Sequence, residues 1–291
     1  VDVWVSFPKS FIYETVVQEL KNQNFDITSS IYKNYRIVGL RVSAARLSEL
    51  ASMPFIEYVQ SIPHEDQPLN FNSMFLSRAN VIKAPLTAGG RALNGNGVVV
   101  GIGDNGDVQT HIDFSGRLIN RAAQIIRAHA THVTGTIGGG GVINELLTGY
   151  APKATLVSQV FSNIFTYAPT YVQDHGMVIT NNSFGTVVND CDYNGFYDLS
   201  SRILDQQAFD LPELQQVFAA GNDGIRTCGL YPFGFKTVLG GYQSAKNILT
   251  VGSTNYKGDS SVFSSKGPVK DGRIKPEIMS QGEFVISTWP T

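Results

Sequence analysis

Apolar and polar positions along the chain follow two regimes. In the first sixty residues, Val1 to Phe7 alternates with a period of two, and Glu14 to Asn22 spaces Val16, Val17 and Leu20 as on a helix. Phe25 to Ile31 and Tyr35 to Val42 favour strands, Ser43 to Met53 carries Leu47 and Leu50 on one helical face, and Ile56 to Ile62 closes as a strand. The predicted order is βαββαβ, a small ferredoxin-like unit. Pro63-His64-Glu65-Asp66-Gln67-Pro68 is polar, bracketed by prolines and without period, so it reads as a linker; the expected units are 1–70 and 71–291. Beyond Gly97 the alternation gives way to short apolar runs: Val98 to Ile102, Ala154 to Val160, Met177 to Thr180, Gln216 to Ala219 and Ile248 to Val251. Such runs suit strands buried on both faces. With Tyr197 to Phe209 placing Leu199, Ile203 and Leu204 on one helical face, the pattern predicts an α/β domain, a mostly parallel sheet with helices on both faces. Functional groups in such sheets gather at the carboxyl ends of strands.

Composition narrows the partners. The 291 residues are 42% hydrophobic, enough for a sizeable core, and the formal net charge is -2 with 16% charged residues and no long basic run. Nothing there marks a nucleic-acid partner, and no apolar stretch reaches the roughly eighteen residues of a membrane span. Val1 opens the chain without a methionine or signal-like apolar region, as in a processed product. With only Cys191 and Cys228, a cysteine cluster for zinc and a disulfide-dense scaffold are both excluded. The count alone leaves a single bridge open.

Three strand ends and helix starts carry candidate chemistry. The run Val98-Val99-Val100-Gly101-Ile102 leads into Gly103-Asp104-Asn105-Gly106, which sets a carboxylate at a strand end. Asp-Asn-Gly also favours turns, and Gly101, Gly103 and Gly106 fit G-x-G-x-x-G, the dinucleotide-binding turn. That rival needs a helix at once, and Asp107 to Arg117 has no helical apolar face. His129-Ala130-Thr131-His132-Val133-Thr134-Gly135-Thr136 puts a histidine in the first turn of a tightly packed helix, and Phe218-Ala219-Ala220-Gly221-Asn222-Asp223-Gly224 ends a strand in an exposed amide. A lone asparagine there is more often a turn former.

Taken in order, these motifs resemble those of the subtilisin-like serine proteases. The histidine octet is similar to His-Gly-Thr-His-Val-Ala-Gly-Thr, with Ala130 replacing glycine and Thr134 replacing alanine; a methyl at Ala130 would crowd the substrate or move the ring. Ala219-Ala220-Gly221-Asn222 matches the family's Ala-Ala-Gly-Asn, and Asn182-Ser183-Phe184-Gly185 resembles its substrate-pairing segment. Phe263-Ser264-Ser265-Lys266-Gly267-Pro268 and Asp271-Gly272-Arg273-Ile274-Lys275-Pro276-Glu277 resemble the runs that lead into the serine motif. The order Asp, His, Asn is also the family's.

The resemblance implies peptide-bond hydrolysis with Asp104 orienting His129, His129 as base, Asn222 as oxyanion donor and His132 structural. Ser183, Phe184, Gly185, Ala219, Ala220 and Gly221 would bind substrate. Residues 1–70 would be an intramolecular prodomain whose tail, about Pro63 to Asn70, enters the substrate groove, with processing between Gln67 and Asn72 and a mature start resembling Ser77 to Pro85. The family's Gly-Thr-Ser-Met-Ala motif occurs nowhere between Val1 and Thr291. The expectation is therefore a catalytic domain, 71–291, truncated before its serine and inactive as it stands, with the serine on a following segment or a separate C-terminal fragment. A catalytically inactive relative serving as a binding or scaffold protein is the alternative. Partners would be protein or peptide substrates, and no cofactor is required. Calcium is the one candidate ion, with Asp113 in His111-Ile112-Asp113-Phe114 as its ligand. Secretion to an oxidising compartment, extracellular or periplasmic, would pair Cys191 with Cys228 beside the groove.

Overall fold

The computed structural model describes residues 1–62, 66–68, 79–122, 125–188, 190–283 and 285–290. Pro63 to Glu65 of the expected linker, most of the processing window and the residues from 69 up to Ser77 lie outside the described residues. The chain divides into two compact units, Val1–Glu65 and Asp66–Thr291.

The first unit runs β1 (Asp2–Ser6), α1 (Tyr13–Asn22), β2 (Asp26–Ser29), β3 (Ile37–Arg41), α2 (Leu47–Ala51) and β4 (Tyr58–Ser61). Its sheet is antiparallel in the order β2-β3-β1-β4, the ferredoxin-like arrangement. Alternation in β1 sends Val3 and Val5 inward to meet Val16 and Leu20 of α1 and Leu50 of α2 in one core. The helix expected over Ser43 to Met53 is shorter. Residues Ala44–Arg46 form a 3₁₀ turn instead, and Arg46 reaches back to the carbonyl of Gln23 while its guanidinium lies 4.1 Å over the Phe25 ring.

The second unit holds β5 (Asp66–Pro68), α3 (Ala79–Lys83), β6 (Val99–Asp104), β7 (Leu118–Asn120), α4 (Ala128–Gly138), β8 (Thr155–Val160), α5 (Asn163–Thr166) and α6 (Ala168–His175). It continues through β9 (Met177–Asn182), β10 (Phe184–Thr186), α7 (Leu199–Asp210), β11 (Gln215–Ala219), β12 (Leu249–Thr254) and β13 (Ile278–Gln281). Seven strands form a parallel sheet ordered β13-β12-β11-β9-β6-β8-β7. The alternation of β6 shows why helices cover both faces. Val100 and Ile102 pack with Ala130 and Val133 of α4, whereas Gly101 and Gly103 face Ile164 of α5.

The five apolar runs are all strands of this sheet, and α7 begins two residues after the expected helix start because Asp198 caps it, accepting from the N–H groups of Ser200 and Ser201. Short or exposed strands escaped the pattern: β7 has three residues, and Ile278 and Met279 of β13 are exposed. The boundary also differs from residue 70. Asp66–Pro68 pairs antiparallel with β10, so these residues belong to the second unit.

Candidate active site

Register brings the candidate residues to one edge of the sheet. Gly103 of β6 is level with Asn182 of β9, and Asn182 is level with Phe218 of β11. Asp104 and Ser183 therefore each lie one residue past this line, and Asn222 lies four past it. The chain winds from β6 to β7 and β8 on one side and to β9 and β11 on the other. Strand ends on either side of such a switch leave a crevice between them.

Asp104 is fully buried, and α4 presents His129 in its first turn. The Nδ1–H of His129 donates to Asp104 Oδ1 at 2.7 Å, and the N–H of Asn105 donates to the same oxygen at 2.7 Å. With the proton held on Nδ1, Nε2 of the neutral ring is the basic nitrogen, and it has no partner among the described residues. Close packing of β6 requires Gly103, since a Cβ there would come within 2.7 Å of Ile164 Cγ2 and 2.8 Å of Asn182 Oδ1. The glycines of this run thus serve packing. A turn and a short 3₁₀ segment, Ile112–Phe114, follow β6 in place of the helix a dinucleotide site needs.

The rest of the histidine motif is structural. Ala130 is buried with Ile102, Phe114 and Leu156, so its methyl faces the core, and the expected crowding of substrate does not arise. Thr134, also buried, donates its hydroxyl to the Ala130 carbonyl. His132 donates from Nε2 to the carbonyl of Val285 at 3.3 Å, and its ring meets the edge of Trp289. Burial holds His132 below the usual histidine range. Gly135 lets the segment after Val285 lie close, because a Cβ there would be 2.1 Å from Thr288 Oγ1.

Ser183, Ala219, Ala220, Gly221 and Asn222 line one wall of a cavity of about 260 Å³ whose other wall includes Val133 and Ile137 of α4. Three backbone bonds hold that wall. Ala220 donates to Val251, Leu239 donates to Ala220, and Ser265 donates to Gly221. Phe184 departs from the expected substrate contact. Its ring is fully buried against Phe161, Phe218 and Tyr242, so only its backbone serves the edge. Gln243 fixes that backbone by donating to the Phe184 carbonyl at 2.9 Å. Beyond it, β10 pairs with β5 in the register Phe184 to Pro68, Gly185 to Gln67 and Thr186 to Asp66. The edge thus pairs by its backbone with an extended segment of the same chain.

Two side chains take roles that the motifs do not assign. Asn182 is buried and donates to Thr180 Oγ1 and to the carbonyl of Val217, joining β9 to β11, and Gln243 is the buttress just described. Asn182 stands in the motif through Gly185 without a role of its own there, and no local signal marks Gln243.

Cys191 and Cys228 form a disulfide that ties the segment after β10 to the loop after Asn222. Asp113 braces the loop after α4. Its Oδ2 accepts from Gly141 N–H at 3.2 Å and its Oδ1 from Val142 N–H at 3.0 Å, while Arg117 donates to its carbonyl. Among the described residues no group of three or more His, Cys, Asp or Glu side chains is arranged to hold a metal. No described helix is long and apolar enough to cross a membrane.

Similarity to known proteins agrees with this arrangement. The chain is 26% identical over 206 residues to alkaline protease 1 of Aspergillus clavatus, covering 67% of this chain and 45% of that protein. It is 28% identical over 181 residues to tripeptidyl-peptidase 2 of Oryza sativa subsp. japonica, covering 55% of this chain and 13% of that one. The chain thus spans less than half the length of either relative. Among solved structures, the epidermin leader peptide processing serine protease of Staphylococcus aureus aligns at a TM-score of 0.58 and 17% identity, over 92% of this chain and 72% of that one. The CspB protease of Clostridium perfringens aligns at 0.59 and 16%, over 74% and 82%. The fold is subtilisin-like, and since the subtilase family model matches residues 95–289, the chain belongs to the subtilase family.

Proposed function

We propose that this chain is the precursor of a secreted subtilisin-like serine endopeptidase. Asp104 and His129 are its acid and base, Asn222 its oxyanion donor, and the nucleophilic serine lies on a segment beyond residue 291. The observation that carries the reading is the 2.7 Å Asp104–His129 contact at the crevice, with the basic Nε2 unengaged among the described residues. In the reaction, Nε2 takes the proton of the serine hydroxyl as its oxygen attacks the scissile carbonyl carbon. The Asn222 amide donates to the oxygen that becomes negative, and the protonated His129 faces the Asp104 carboxylate. When the C–N bond breaks, His129 returns its proton to the leaving amine; water then repeats the sequence on the acyl ester. A helix bearing the serine would pack in the cavity between α4 and the strand ends.

Residues 1–70 act as the prodomain in this proposal, and Asp66–Pro68 as the end of its inhibitory tail. The antiparallel pairing with β10 supports this, since a substrate strand would use the same backbone groups. The test compares the chain ending at Thr291 with one extended through the proposed serine. Casein hydrolysis and labelling by a fluorophosphonate are expected only in the longer chain, with a new amino terminus between Gln67 and Asn72. An extended chain that is folded, unlabelled and inactive would leave the catalytically inactive binding or scaffold protein as the reading.

A further inference from the structure

The loop that follows Asn222 and Asp223 is longer than the turn at this strand end needs, and it does not bury its apolar side chains. It folds back on itself: Gly234 donates to the carbonyl of Arg226, Tyr231 to that of Cys228 and Phe235 to that of Pro232. The disulfide to Cys191 pins its base, where Cys228 is buried. Compact loops with close ends normally fill their interior with their own side chains. This one holds them outward. Leu230 is 105% exposed, Phe233 58%, and Tyr231 and Phe235 also stand in solvent.

The polar surroundings have one sign within the loop. Residues 224–236 contain Arg226 and Lys236 and no carboxylate. The Lys236 ammonium lies 5.4 Å over the Tyr231 ring, and Lys266 lies 5.7 Å over the Phe235 ring, so each cation sits beside an exposed aromatic. Asp223 is buried and paired with Arg226. Asp190 and Asp192, exposed beside Cys191 across the bridge, are the acidic neighbours. With a net charge of -2 for the chain, attraction by charge alone is weak, and insertion of the apolar tip has to supply most of the binding.

We infer that the tip formed by Leu230, Tyr231, Phe233 and Phe235 docks the protein on the surface of a phospholipid bilayer, with Lys236 and Lys266 meeting anionic headgroups. A protein partner fits less well. Protein interfaces carry roughly one hydrogen bond per 100–200 Å², whereas at this tip only the Tyr231 hydroxyl offers a polar side-chain atom. Acyl chains require no hydrogen bonds, and Tyr beside Lys is the pairing that suits the headgroup level. The disulfide and the loop's backbone bonds hold the apolar groups outward beforehand, so little ordering is lost on docking.

The test is cosedimentation of the purified chain with phosphatidylcholine vesicles containing about a quarter phosphatidylglycerol. The chain is expected in the pellet, and Leu230→Ser with Phe233→Ser is expected to lower the partition coefficient at least about tenfold. Lys236→Glu with Lys266→Glu should weaken binding to these vesicles and not to pure phosphatidylcholine. Phe209→Ser, which removes an exposed ring on α7, should leave binding unchanged. Leu230→Ser alone touches a side chain with no packing to lose, so a folding defect cannot imitate its effect. Failure of the parent chain to sediment, or equal binding by the Leu230 and Phe233 variants, overturns the inference. So does self-association that these variants abolish without vesicle binding, which would make the tip a contact between copies.

Discussion

Asp104→Asn, made in a chain that includes the proposed serine segment, isolates the charge of the acid from its geometry. Two donors converge on Asp104 Oδ1, the His129 Nδ1–H and the Asn105 N–H, each at 2.7 Å. The amide oxygen of the asparagine will take that position, and its NH₂ will take the place of Oδ2, which has no partner among the described residues. The tautomer of His129 and the packing then survive, and the loss is the negative charge facing the ring when Nε2 is protonated. At an effective dielectric constant of about 20, unit charges 2.7 Å apart attract by roughly 6 kcal/mol. The side chain of His129 is 17% exposed, so solvent screens part of this, and a loss of about 4 to 5 kcal/mol corresponds to a fall in kcat of about 10³ to 10⁴. The assay is kcat on a peptide substrate beside a thermal melt, with the melt expected within a few degrees of the parent. A folded variant that keeps more than about a tenth of kcat would refute the role of Asp104.

Three further outcomes rest on the described geometry. Cys191→Ala with Cys228→Ala opens a loop of 37 residues, worth about 4 kcal/mol by chain entropy, and should lower Tm by about 8 to 15 °C; a change under about 2 °C would show that the bridge braces nothing. His132 is held below its ordinary 6.5 by burial, so the unfolded chain binds this proton more readily than the folded one. Its contribution is complete above about 6.5 and is lost as pH falls toward the lower folded value, so Tm should drop on acidification, and less so in His132→Gln; parallel slopes would remove His132 as the cause. Because the Asp113 oxygens already accept backbone N–H groups, EGTA should leave Tm unchanged, which would remove the calcium reading, whereas a fall would support it.

Periodicity reported the fold wherever burial alone decides side-chain identity. The apolar run containing β6 and the helical face of α7 are such cases, and both elements formed within two residues of their expected starts. It failed where hydrogen bonding decides. The 3₁₀ turn at Ala44–Arg46 goes with long-range contacts of Arg46, β10 forms on the pairing with β5, and β13, parallel to β12, follows a charged pair out of reach of any apolar count. There Lys275 is buried with its ammonium 2.5 Å from Glu277, and Glu277 accepts from the N–H of Thr250.

The site divides along the same line. Asp104, His129 and Asn222 could be singled out because their motifs, taken in order, resemble the family's; position alone left Asp104 and Asn222 equally readable as turn formers. Phe184 and Ala130 sit in the same motifs, yet their side chains answer to the core, and only their backbone or their size belongs to the edge. Gln243 shows the reverse. It lies 58 residues beyond Gly185 in sequence, its amide is buried, and its one bond to the Phe184 carbonyl fixes an edge strand that pairs with an extended chain. A buried amide of that kind costs free energy unless its partner is in place, so Gln243 ties this edge to the packing of Tyr242 behind it. The geometry of this edge is therefore set from the core outward: replacing Gln243 with leucine would leave the Phe184 carbonyl unpaired on that side and loosen β10 without touching Asp104 or His129.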